Sequence, residues 1–156
     1  MGLDMYLKAK IGVSGYEFVE EQERIKFNTI KDIFPEADIK NNSIIYIELP
    51  IGYWRKANAI HRWFVENIQE GIDDCGNYYV SRGQLKTLKT LCEESLQWDK
   101  DRSSSEEPAL KTQSGFFFGN TDYDEWYIED LKDTIKIIDK CLALPSNYDF
   151  YYSSSW

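Results

Sequence analysis

The fold is decided by the stretch Ile51-Gly-Tyr-Trp-Arg-Lys-Ala-Asn-Ala-Ile-His-Arg-Trp-Phe-Val-Glu-Asn67. Apolar residues recur at helical spacing within this stretch and directly after it, at Ala57, Ile60, Phe64 and Ile68. This spacing predicts a helix from about Trp54 to Gln69, which Gly71 ends. Its polar positions hold His, Arg, Lys and Asn, which have directional hydrogen-bonding groups, whereas an ordinary amphipathic helix uses interchangeable Glu, Lys and Gln. The helix is therefore predicted to border a binding surface.

Strands and helices are predicted on both sides of this stretch. Alternating or Ile-rich patterns predict strands over residues 3–11, 43–49, 78–80 and 148–152. A capping box of Ser81 and Gln84 predicts a second helix, and a third is expected from roughly Tyr123 to Leu144. Residues 14–42 are read as an irregular excursion and residues 99–114 as an exposed loop. About three helices on a small, mostly antiparallel sheet predict an α+β fold in one domain spanning residues 1–156.

The composition limits the classes of protein. Apolar residues make up 42% of the chain and aromatic residues 15%, which excludes a disordered chain. A formal net charge of −9 and a pI near 4.7 argue against general affinity for nucleic acids or anionic membranes. The sequence contains neither a leader pattern nor an apolar stretch long enough to span a bilayer. We therefore expect a cytoplasmic protein.

Metal, disulfide and cofactor sites are not expected. The three cysteines, Cys75, Cys92 and Cys141, have no close spacing, and the chain has one histidine. Cys92 and Cys141 fall on apolar helical stripes, whereas Cys75 lies in a polar loop. Asp73 and Asp74 are interpreted as turn residues, because no calcium-loop pattern follows them.

Seven residues are the candidate ligand-binding set: Trp54, Arg55, Lys56, Asn58, His61, Trp63 and Asn67. On a helix, Trp54, Asn58 and His61 lie along one edge of the apolar stripe. Lys56, Trp63 and Asn67 lie along a parallel edge. Such edges offer hydrogen-bond donors and stacking planes to a compact ligand with a planar ring. Two alternatives stay open: His61 is a semi-buried structural residue, and Arg55 and Lys56 pair with surface carboxylates.

The chain also contains five blocks, in this order: Met1-Gly-Leu-Asp-Met-Tyr-Leu7, Gly52-Tyr-Trp-Arg-Lys-Ala-Asn-Ala-Ile-His61, Asp73-Asp-Cys-Gly-Asn-Tyr-Tyr-Val-Ser81, Ser114-Gly-Phe-Phe-Phe-Gly-Asn-Thr-Asp-Tyr-Asp-Glu-Trp-Tyr127 and Tyr152-Ser-Ser-Ser-Trp156. Together they resemble a small family of uncharacterised proteins encoded by bacteriophages and prophages. The resemblance implies a phage setting and the host cytoplasm, and it implies no activity for any residue.

Three functional hypotheses follow. The first is a non-catalytic phage accessory protein that binds and sequesters a small anionic, aromatic ligand of nucleotide type, as counter-defence against a host nucleotide signal. The second is an inhibitor or adaptor that binds a host protein through an acidic, aromatic surface. The third is an enzyme that uses His61 as a general base. A cavity walled by aromatic residues would favour the first hypothesis. A flat acidic face would favour the second, and a histidine–carboxylate pair in a cleft would favour the third.

Overall fold

The computed structural model describes residues 2–100 and 107–156. Within these ranges the chain forms the strands β1 (Asp4–Ser14), β2 (Ile44–Arg55), β3 (Asn77–Val80) and β4 (Asp149–Ser155). The α-helices are α1 (Glu21–Ile33), α2 (Asn58–Asn67), α3 (Arg82–Lys100) and α4 (Glu125–Ala143). A short 3-10 helix covers Pro35–Ala37. The predicted α+β class is confirmed, with one more helix than expected.

The four described strands form one antiparallel sheet in the order β2-β1-β4-β3. In β3 and β4 the residue pairs run from Asn77 opposite Ser153 to Val80 opposite Phe150. The predicted alternation in the first strand is confirmed, because Leu3, Met5, Leu7 and Ala9 are all fully buried. One face of the sheet therefore belongs to the core, as is common for antiparallel sheets.

The described contacts divide the chain into two compact units. One unit contains Met1–Ala9 and Pro50–Trp156, and the other contains Lys10–Leu49. In the smaller unit, α1 buries Phe27 beside Gly15, where an added Cβ would lie 2.5 Å from the ring. The larger unit contains all seven candidate site residues.

Helices cover the sheet in the larger unit. Phe64 of α2 is fully buried and stacks on Tyr152 of β4, with ring centroids 3.8 Å apart and an angle of 6° between the planes. Gly52 of β2 meets Ile137 of α4 so closely that an added Cβ would lie 2.5 Å from it. Because the glycine lacks a side chain, the helix and the strand can approach at this point.

The predicted capping box is present at the start of α3. The Ser81 amide donates to Oε1 of Gln84, and the Gln84 amide donates to Oγ of Ser81. At α4 the cap is Asp124, whose carboxylate accepts hydrogen bonds from the amides of Trp126 and Tyr127. Side-chain hydrogen bonds of this kind satisfy the free amides at a helix start, and those of Ser81 and Gln84 do so reciprocally.

The predicted helix start at Trp54 is wrong. β2 continues through Pro50 to Arg55, and α2 begins at Asn58. β2 is an edge strand, where a residue without an N–H group breaks no pairing on its open side. Pro50 therefore interrupts the sequence pattern without ending the strand.

Two further predictions are corrected. Residues 14–42 contain α1, whose only buried residue is Phe27, so its core-facing pattern is weak.

In the predicted exposed loop, α3 continues to Lys100, and residues 101–106 lie outside the described residues. Leu110 is 3% exposed, its amide donates to Ser95 Oγ, and its carbonyl accepts from the Tyr127 hydroxyl. The end of this loop is docked rather than solvated.

Candidate functional site

A cavity of about 410 Å³ lies at the starts of α2 and α4, within the larger unit. This volume falls in the usual range of small-molecule sites. Its walls come from the end of β2, the first turn of α2, the segment before α4 and the first two turns of α4: Arg55, Lys56, Asn58, Ala59, Thr112, Gly119, Asn120, Asp122, Asp124, Trp126, Tyr127 and Asp130.

The cationic wall comes from the junction of β2 and α2. The Arg55 side chain is 62% exposed, and its Nε lies 4.0 Å from an oxygen of Asp4. Lys56 has a φ of 61°, a left-handed conformation that a non-glycine residue rarely adopts. Two backbone hydrogen bonds of 2.8 Å fix this conformation, one from the Lys56 amide to the Leu3 carbonyl and one from the Asn58 amide to the Lys56 carbonyl. The junction therefore holds two positive side chains at the cavity.

Lys56 also packs against Gly119 on the opposite segment. Gly119 has a φ of 89°, and a Cβ added there would lie 3.4 Å from Cβ of Lys56. Within the described residues no carboxylate lies within 4.0 Å of the Lys56 ammonium. The lysine stem is therefore packed while its charge remains available.

The first turns of α4 supply the aromatic and acidic wall. Trp126 is 66% exposed, and Asp130 follows it by four residues, so both side chains lie on one face of the helix. Asp124 accepts hydrogen bonds from the amides of Tyr127 and Trp126 and from Asn120, and the bond from Tyr127 contributes most to lowering its pKa. A carboxylate with these donors stays charged at neutral pH.

Asp130 has the opposite environment. Burial raises the pKa of its carboxyl to about 7, and the neighbouring charges of Asp133, Glu129 and Asp124 act in the same direction. Within the described part of the chain no group donates a hydrogen bond to this carboxyl. Such a raised pKa is common at functional sites, although structural carboxylates can show it as well.

Asn58 is the structural centre of the cavity wall. Its side chain is buried, and its Nδ2 donates to the carbonyl oxygens of Phe118, at 3.1 Å, and Asn120, at 2.7 Å. Its Oδ1 accepts from the Gln113 amide at 3.1 Å. Both amide protons are therefore used within the protein, and Asn58 positions the wall rather than offering donors to a ligand.

His61 is fully buried in a hydrogen-bonded chain. Its Nδ1 lies 2.7 Å from the Tyr152 hydroxyl, and its Nε2 lies 2.9 Å from Oδ2 of Asp73. Burial raises the pKa of Tyr152, so its hydroxyl stays protonated and can donate to Nδ1. Trp156 Nε1 donates to the other oxygen of Asp73. His61 does not line the cavity. Because both ring nitrogens have hydrogen-bond partners within the protein, its surroundings fit the alternative of a structural histidine.

The other predicted site residues also lie away from the cavity lining. Trp54 is 3% exposed, and its indole donates to Thr134 Oγ1. Trp63 is buried with its ring edge-on to Phe64. Asn67 is exposed at the end of α2 and donates to the Trp63 carbonyl. Of the seven candidates, Arg55, Lys56 and Asn58 line the cavity, and neither predicted stacking tryptophan does.

Sequence reasoning missed Trp126 and Asp130 as parts of the site. The spacing of four residues between them is visible in the sequence, but the acidic start of α4 is explained equally well by the helix dipole. Asp73 and Asp74 were expected in a turn. Asp74 indeed accepts from the Gly76 amide, whereas Asp73 also binds His61.

Comparisons with protein-family models, with curated proteins and with solved structures gave no match. No described helix has the length and apolar character needed to cross a membrane. Among the described residues, no three His, Cys, Asp or Glu side chains are arranged to hold a metal ion. Residues and geometry alone therefore support the functional argument.

Proposed function

We propose that this protein binds a small anionic ligand with a planar aromatic ring, of nucleotide type, in the cavity at the starts of α2 and α4, and sequesters it. One observation supports this most strongly. The cavity brings the positive side chains of Arg55 and Lys56 together with the exposed indole of Trp126. A cavity with an aromatic plane and a few charged groups suits a ligand that has both a ring and an anionic group.

The charge of the protein makes this local cluster necessary. A chain with a net charge of −9 repels anions at long range, so an anionic ligand needs donors close to its binding position. A guanidinium group binds phosphate or carboxylate through two parallel hydrogen bonds, and an ammonium adds a point charge. Arg55 and Lys56 supply one of each.

Calorimetry with a panel of mononucleotides and cyclic nucleotides tests the proposal. Arg55→Ala should weaken binding about ten- to hundred-fold, the loss of one charged hydrogen bond of roughly 1.5–3 kcal/mol. Trp126→Ala should also weaken it, since the stacking plane is removed. The matched controls are Arg62→Ala, whose guanidinium already pairs with Glu66, and Trp156→Phe; neither residue lines the cavity.

Two results would overturn the proposal. One is the absence of binding by every nucleotide in the panel. The other is binding that Arg55→Ala and Trp126→Ala leave unchanged. Native mass spectrometry of protein purified from its host gives an independent measurement, because a sequestered ligand should be retained as a defined added mass.

The resemblance to phage proteins supplies a biological setting for this proposal. In that setting the ligand is a host nucleotide signal, the protein acts in the host cytoplasm, and its removal of the signal is a counter-defence. Expression of the protein should then lower the free concentration of the signal in infected cells. The Arg55→Ala variant should leave that concentration unchanged.

One observation favours a second candidate function, binding of a host protein. Phe116 is 81% exposed on the turn from Gly115 to Phe118, where Phe117 has a φ of 75°. Aromatic residues are enriched at protein–protein interfaces, and strained backbone residues cluster at functional sites. Phe116→Ser should abolish capture of a host protein and leave nucleotide titrations unchanged. The hypothesis of an enzyme built on His61 gains no comparable support, because its ring is fully buried.

A further inference from the structure

We infer that Asp130 selects the base of the ligand, and that the preferred ligand is a nucleotide whose ring edge presents two adjacent N–H donors, as guanine does. The inference rests on the proposed function, because it concerns the same cavity. It adds a ligand class and a specificity-determining residue.

The position of Asp130 follows from the helix. Trp126 and Asp130 are separated by one helical turn on the same face of α4, and both line the cavity. A ring stacked on the indole of Trp126 lies flat against that face. Its edge can then reach the carboxyl group one turn further along the helix.

The hydrogen-bonding state of the carboxylates distinguishes Asp130 from its neighbours. Asp124 already accepts hydrogen bonds from two backbone amides and from Asn120. Asp122 is exposed and therefore solvated. Asp130 is partly buried, and no protein group that the structure describes donates a hydrogen bond to its carboxyl. Its oxygens are therefore not committed to protein donors and can accept hydrogen bonds from a ligand in the cavity.

The ring edge decides between the bases. Guanine presents N1–H and one N–H of its 2-amino group side by side, and a carboxylate accepts both in a charge-assisted, two-point contact. Adenine and cytosine present a donor beside an acceptor, which only a protonated carboxyl group can match. The charged form of Asp130 therefore favours guanine, and the neutral form favours the other two.

The surroundings of Asp130 set the pH at which this preference acts. Asp133, Glu129 and Asp124 surround it from α4 and its cap, and Asp122, Arg55 and Lys56 contribute charges from the other walls. Its pKa of about 7 means that the carboxylate dominates at pH 8.5 and the neutral acid at pH 5.5. The preference for guanine should therefore be larger at the higher pH.

Calorimetry at pH 8.5 with GMP, IMP and AMP tests the inference. GMP should bind at least ten-fold more tightly than AMP, and IMP, which keeps N1–H but lacks the 2-amino group, should fall between them. Asp130→Asn should remove the preference for GMP. Asp139→Asn on the same helix is the matched control and should keep it, because Asp139 neither lines the cavity nor is among the charges that act on Asp130. Thermal melts of both variants verify that they are folded.

The outcomes separate this inference from the proposed function. Nucleotide binding to the wild type that is weaker in Arg55→Ala but has equal affinities for GMP and AMP would refute the selection of the base by Asp130. The proposed function would then stand. The same conclusion follows if Asp130→Asn keeps the wild-type ratio of GMP to AMP affinity. If no nucleotide binds, both are overturned.

Discussion

Replacing Asn58 by alanine separates a structural role for this residue from the ligand-binding role that its sequence position suggests. The substitution removes two donors and one acceptor, and leaves the carbonyls of Phe118 and Asn120 and the amide of Gln113 without their partner. A buried group left without its partner costs about 1–3 kcal/mol. The Phe118 carbonyl should approach the upper value, because its bond is buried.

The other two bonds are partly buried, so water can replace part of what is lost. The expected total is therefore about 2–5 kcal/mol rather than the sum of three full penalties. For a protein of this size, each kcal/mol lowers the melting temperature by about 2–4 °C. Asn58→Ala should accordingly melt roughly 4–20 °C below the wild type.

Urea and thermal denaturation, followed by far-UV circular dichroism, measure this difference. Asn67→Ala is the matched control, because Asn67 is an exposed asparagine on the same helix whose amide makes a single, partly buried intrahelical bond. It should change stability by no more than about 0.5 kcal/mol. Equal shifts for the two variants would refute the structural role of Asn58. A loss of ligand affinity in Asn58→Ala without a loss of stability would restore it as a ligand-binding residue.

Three other predictions follow from buried groups. Phe64→Ala removes a fully buried ring stacked on β4, and it should lower the free energy of unfolding by about 3–5 kcal/mol in urea denaturation. Asp130→Asn should raise the melting temperature at pH 8 and have little effect near pH 4. The carboxyl pKa is about 7 in the folded protein and about 4 in the unfolded chain, so the folded state binds an extra proton between these values and loses stability as the pH rises through them. In the native protein a thiol reagent should modify the exposed Cys75 rapidly; Cys92 and Cys141 should react only on unfolding, since burial raises both pKa values, that of Cys141 to about 12.

Each of these has a contradicting result. A shift in melting temperature of only a degree or two for Phe64→Ala would place that ring outside the core. An Asp130→Asn effect that is the same at pH 4 and pH 8 would mean that the wild-type carboxyl has an ordinary pKa. Three thiols reacting at one rate in the native protein would contradict the burial of the helical cysteines.

Local patterns predicted the elements whose signals are contained in a few neighbouring residues. The alternation from Leu3 to Ala9 and the capping box of Ser81 and Gln84 both describe interactions between residues close in sequence, and both are confirmed. Pro50 and Gly52 were wrongly predicted to end the strand, because whether a strand can continue through a proline and a glycine depends on residues distant in the sequence. An edge position accommodates the proline, and Ile137 packs over the glycine.

The site was predicted only in part for the same reason. Arg55 and Lys56 were recognised by their charge. The tryptophans near them are held in the core, Trp54 by a hydrogen bond to the distant Thr134 and Trp63 by an edge-on contact with the adjacent Phe64. The aromatic plane of the cavity comes instead from Trp126, far along the chain. Asp130 differs from its acidic neighbours in burial, which sequence spacing alone does not reveal.

The sheet order has a consequence for folding kinetics. β4 lies between β1 and β3, so residues 149–155 must pair with residues 4–14 before the central part of the sheet exists. Such long-range pairing requires loop closure before any contact compensates for the lost chain entropy, and it is typical of slowly folding domains. We expect α3 and α4, which are consecutive in the chain and pack on each other, to associate before β4 is in place. The insertion of β4 should then limit the rate, and until it happens the edges of β1 and β3 stay open to pairing with other chains.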